Sequence, residues 1–95
     1  FNVSTWDNVV IDDSTYGSGS GVPGSDLVAQ LSQLDIADAA QSTTANAEDS
    51  ASNATDPDQA VIVTGLVYLE ANVSYDFVGR GDDSIAITLG GQLVD

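Results

Sequence analysis

The sequence predicts a mainly β chain: an antiparallel β-sandwich, incomplete within these 95 residues, with one short helix. Three observations predict it. Apolar and polar residues alternate through Val61/Val63, Val73/Tyr75/Phe77 and Ile85/Ile87/Leu89, the period of half-buried strands. Turn-forming clusters rich in Gly, Asn and Asp separate these runs at short intervals, as antiparallel connections require. One segment alone, from Ser25 onward, carries leucines at helical spacing.

Taken in order, residues 1–13 predict one or two short strands with Val3, Trp6, Val9, Val10 and Ile11 as apolar positions. Trp6 is expected in the core, with an exposed sugar-stacking role as the alternative. The stretch from Gly17 to Gly24 is a flexible loop by composition, and it is no phosphate loop because no Lys follows it. Ser25 is the expected N-cap of a helix over about 25–40, with Asp26 at the positive end of its dipole. Leu27, Leu31 and Leu34 form the apolar face of that helix. Residues 41–58 lack periodicity and predict a long surface loop. A strand meander over 60–95 follows, bent at Gly65 and turned at Gly90-Gly91, so the chain is expected to be one domain or the N-terminal part of one.

The chain stops at Asp95 just after a strand begins, and a sandwich needs a second layer over its apolar face. Val73, Tyr75, Phe77, Ile85, Ile87 and Leu89 are therefore expected to be covered by another protein chain or by the missing half-domain. The chain begins at Phe1 without Met, so removal of a leader or an upstream domain is also expected.

Charge and composition narrow the function. Fifteen acidic residues stand against one basic residue, Arg80, for a net charge of −14. Such a field repels phosphate backbones and anionic lipid, which argues against nucleic-acid and membrane-surface binding. No apolar run approaches the ~20 residues of a membrane span, so no membrane insertion is expected. The carboxylates are Asp except at Glu48 and Glu70. Short Asp side chains suit loops and hard-cation sites, though surface acid also suits a saline setting. Without Cys, His or Met the chain has no disulfide, no thiol chemistry, no zinc or copper ligand set and no His-based triad. Asp12/Asp13 and Asp56/Asp58 could form a glycosidase pair only across a cleft, and nothing places them so. No enzyme activity is expected.

The sharpest candidate site is Gly79-Arg80-Gly81-Asp82-Asp83-Ser84. Two adjacent carboxylates on a glycine-flanked turn can face one calcium ion (Ca2+), which takes six to eight oxygens in irregular geometry. A solvated acidic turn is the competing reading. Arg80-Gly81-Asp82 also spells the integrin tripeptide, but its Asp is the one that calcium would use. Asn2, Asn53 and Asn72 each begin an Asn-x-Ser/Thr sequon, of which Asn53 is the best placed for a glycan in a eukaryotic source.

The run Thr64-Gly65-Leu66-Val67-Tyr68-Leu69-Glu70-Ala71-Asn72-Val73-Ser74-Tyr75-Asp76-Phe77, with Asp82-Asp83-Ser84-Ile85-Ala86-Ile87-Thr88-Leu89-Gly90-Gly91 after it, resembles the protective-antigen-type domain. Members of that family occur in yeast flocculins, bacterial toxins and large RTX adhesins, and the wording here is closest to the adhesins. The resemblance covers residues 61–95 well and the first half loosely. It implies a β-sandwich whose lectin-like members bind carbohydrate through calcium held by an Asp pair joined by a cis peptide. Carried over, the metal ligands are Asp82 and Asp83. Two departures stand against it: Ser84 replaces the family's usual Gly, and the second calcium loop would lie beyond Asp95. The expectation is a secreted or cell-surface module for cell adhesion, calcium-dependent and binding a cell-surface glycan, within a larger bacterial protein. The alternative is a structural or filament-forming subunit whose sheet another chain completes.

Overall fold

The computed structural model describes residues 1–17, 19–44 and 58–94. Strands in antiparallel sheets predominate, with one short α-helix, as expected. The chain divides into two compact units, Phe1–Val10 with Asp35–Val73, and Ile11–Leu34 with Ser74–Asp95.

In the first unit, β1 (Asn2–Trp6) is the central strand, between β2 (Gln41–Thr44) and β3 (Ala60–Thr64). Both pairings are antiparallel; Val3 lies opposite Thr43 on one side and Val63 on the other. The two-residue period puts Ser4 and Trp6 on one face of β1 and Val3 on the other, and all three are buried, so both faces are covered. Ala60, directly opposite Trp6, is buried as well, and its small side chain leaves room beside the indole. Trp6 thus takes the core role, and its ring N–H donates to the Asp35 carbonyl at 3.0 Å. Beyond β1 the backbone turns through Asn8 (φ 58°), and the Val9 amide donates to the Asp58 carbonyl at 2.8 Å. No strand forms over residues 9–13.

In the second unit, α1 spans Gly24–Leu31, shorter than the expected 25–40. Its N-cap is Pro23 rather than Ser25, and no side chain caps it. The Pro23 ring fixes φ at −58°, and its carbonyl accepts from the Asp26 and Leu27 amides, both at 3.0 Å. Leu27 is the buried residue of the helix. The helix stops where small polar side chains take over backbone groups. The Ser32 hydroxyl donates to the Ala29 carbonyl at 2.7 Å. Asp35, outside this unit, takes an extended conformation, and its carboxylate accepts from the Ala37 amide at 2.9 Å to start a separate 3-10 turn, Ile36–Asp38.

The expected long loop 41–58 instead opens with β2, whose Thr43 and Thr44 suit a strand edge. Residues 45–57, which include the Asn53 sequon and Asp56, lie outside the described residues. The expected meander is also reduced. β3 pairs with β1, not with the segment that follows it, and residues 65–87 contain no regular strand. At Gly65 the Phe1 ring occupies the space that a Cβ would need, so the position ends β3 rather than bending it. A short hairpin closes the unit: β4 (Thr88–Leu89) and β5 (Gln92–Leu93), joined by Gly90 and Gly91 with φ of 56° and 81°. Two consecutive positive φ values are what a two-residue hairpin turn demands, and Gly supplies them without steric cost. Alternation in 65–87 encodes half-buried surface, yet Leu66, Val67, Tyr68, Val73 and Tyr75 are exposed here. The burial that would hold those residues as strands is missing.

Candidate functional site

Asp82 and Asp83 lie in the second unit on a turn that glycines make possible. Gly81 packs against the Ser84 backbone carbonyl so closely that no Cβ fits, and Gly79 faces the Ile85 side chain in the same way. The chain therefore doubles back within Gly81–Ser84 and leaves both carboxylates at the surface. The peptide bond between Asp82 and Asp83 is cis, the form that the family resemblance implies for its Asp pair.

The two carboxyl groups converge. A side-chain hydrogen bond in which the protonated Asp83 carboxyl donates to Asp82 raises the Asp83 pKa above its ordinary value; the Asp82 charge, partial desolvation and the Asp13 charge push it the same way. Like charges side by side make the loss of the second proton harder.

Asp13 belongs to a loop that sequence reasoning left apart from this site. Its carboxylate accepts from the Gly19 amide at 2.6 Å, and its carbonyl accepts from Tyr16 and Gly17 at 2.9 and 3.0 Å. Farther along, the Val22 amide donates to the Ser84 hydroxyl at 2.9 Å. Gly21 has a φ of 76°, and a Cβ there would come within 2.8 Å of the Asp83 carbonyl oxygen. The glycine-rich stretch thus lies against the Asp82–Ser84 turn. Asp12-Asp13 ahead of a glycine-rich run was the available signal, but spacing along the chain does not reveal which turn such a loop meets.

Among the described residues, no group of three or more His, Cys, Asp or Glu side chains is gathered to hold a metal. The pair offers two hard oxygen donors side by side at the surface, which fit calcium as a partial ligand set; backbone carbonyls, water or a bound ligand would complete it. Asp12 serves a local turn: the Ser14 hydroxyl and amide donate to its carboxylate at 2.6 and 3.0 Å and lower its pKa. Asp58, from the other candidate carboxylate pair, is exposed with φ 61°. Of the sequons, Asn2 is exposed on β1 and Asn72 is exposed in a turn with φ 60°. A shallow depression of about 350 Å³ is lined by Tyr75, Asp76, Phe77 and Val94. No helix among the described residues is long and apolar enough to cross a membrane.

The chain matches no family model, no curated protein and no solved structure.

Proposed function

We propose that the chain is a calcium-dependent extracellular adhesion module of the protective-antigen type, binding a cell-surface glycan as part of a larger surface protein. One observation carries the reading: Asp82 and Asp83 are adjacent carboxylates exposed on a glycine-built turn, close enough that Asp82 raises the Asp83 pKa. A divalent cation would relieve the repulsion of two adjacent carboxylates in a chain of net charge −14. Asp82 and Asp83 would hold the calcium, and the bound ion would offer open coordination positions to sugar hydroxyls. The role is binding, without catalysis. The rest of the β-sandwich would come from another protein layer.

The test is a glycan array probed with calcium and again with EDTA, using wild type and Asp82→Ala. Calcium-dependent signal on a defined glycan class, lost in the variant, is the expected result. Binding that ignores both EDTA and the substitution would refute it.

A second reading, a structural subunit completed by another chain, draws on the exposed apolar side chains of residues 66–94. Ordered polymers without glycan affinity would favour it.

A further inference from the structure

We infer that Ser84 is a positioning residue for the Asp82–Asp83 pair, and that the backbone of residues 19–22 is the support against which it fixes the pair. The inference rests on the calcium reading above. The Val22 amide donates to the Ser84 hydroxyl at 2.9 Å, linking positions 62 apart in sequence. Ser84 follows Asp83 directly and is half-buried, so the bond ties down the end of the turn that carries both carboxylates.

Two further observations make the support specific. Gly21 approaches the Asp83 carbonyl and the Ser84 hydroxyl so closely that a Cβ would stand 2.8 and 2.9 Å from them, and its φ of 76° also excludes most side chains. Asp13 anchors the same stretch by accepting from the Gly19 amide at 2.6 Å. Gly21 is therefore a point of contact with the turn, not merely part of a flexible connection. Two carboxylates that repel each other spread apart unless their backbone is held. A hydroxyl that holds it preserves the spacing a cation needs without touching the cation. Outer partners of this kind are worth about 10–100-fold in metal affinity.

The experiment is calorimetric titration of the full chain with calcium chloride, alongside amide hydrogen exchange at Val22. The variants are Ser84→Ala, Ser84→Thr and Gly21→Ala, with Ser32→Ala as a control in the same unit. The expected result is about 10-fold or greater loss of calcium affinity in Ser84→Ala, with faster exchange at Val22 and unchanged far-UV dichroism. Ser84→Thr restores the affinity, and Ser32→Ala leaves it at the wild-type value while lowering the melting temperature. If Ser84→Ala does not fold, Gly21→Ala carries the test with the same expected loss. Faster exchange at Val22 with unchanged calcium affinity would overturn the positioning role and leave the calcium reading intact. Absence of calcium binding by wild type would overturn the calcium reading itself, and the inference with it.

Discussion

Five apolar side chains of the Ser74–Asp95 segment retain much of their surface: Val78 at 93% exposure, Val94 at 50%, Leu93 at 44%, Tyr75 at 42% and Ile85 at 39%. At about 1.5–3 kcal/mol for fully burying one such side chain, covering what these five leave exposed is worth roughly 4–8 kcal/mol. That is comparable to the whole stability of a typical domain, about 5–15 kcal/mol. The proposed covering layer thus decides whether this segment is stable. Val78→Ser with Val94→Ser is the informative perturbation, because these two side chains are the most exposed of the five and their loss should leave the described unit intact. The assay pairs sedimentation equilibrium with fluorescence of a hydrophobic dye. Wild type by itself should associate, or bind the dye, and the double variant should do neither while keeping its far-UV dichroism. In the covered assembly the same double substitution should cost about 2–4 kcal/mol, measured by denaturant unfolding. A wild-type chain that stays monomeric to about 100 μM, a concentration at which partially folded chains commonly aggregate, and binds no dye would refute the reasoning.

Trp6→Phe keeps a ring in the first core but strands the Asp35 carbonyl, and should cost about 1–2 kcal/mol in urea unfolding. Leu27→Ala removes the buried contact of α1 and should cost roughly 2–5 kcal/mol by the same measurement. The raised Asp83 pKa makes the metal-free native state bind more protons than the unfolded chain between the ordinary value of 3.8 and the raised one. Stability from this group is therefore present at low pH and lost as pH rises through that window. Asp83→Asn should match wild type at low pH in EDTA and exceed its melting temperature at neutral pH; a constant difference across pH would count against the coupling.

The legible parts of the fold were those written in local chemistry. Gly90-Gly91 announced a two-residue hairpin turn, and the leucines after Ser25 announced a helix. The helix end was not legible as a boundary, because Ser32 is compatible with a helix surface until its hydroxyl takes the Ala29 carbonyl. Pairing was the larger gap. Alternation showed that Val61 and Val63 belong to a strand, but nothing local reveals that the partner is β1, some sixty residues earlier. The same limit held at the site. Asp82 and Asp83 stood out in a glycine-built turn, whereas Asp13, Gly21 and Val22 joined them only through tertiary contact. Residues 65–87 show the converse: a strand-like pattern whose apolar side chains stay largely exposed does not form strands here.

Calcium binding at Asp82 and Asp83 is the central claim, and a melting curve tests it most directly. The native state is compared in EDTA, in calcium and in magnesium, for wild type, Asp82→Ala, Asp83→Ala and the surface control Asp38→Ala. At a hundredfold excess over Kd, calcium should stabilise wild type by about 2.7 kcal/mol. Both site variants should lose most of that gain, and Asp38→Ala should retain it. Magnesium should substitute poorly, because it demands octahedral geometry that an irregular turn does not supply. Identical wild-type melting temperatures in calcium and EDTA would contradict the account and reduce the loop to an acidic turn.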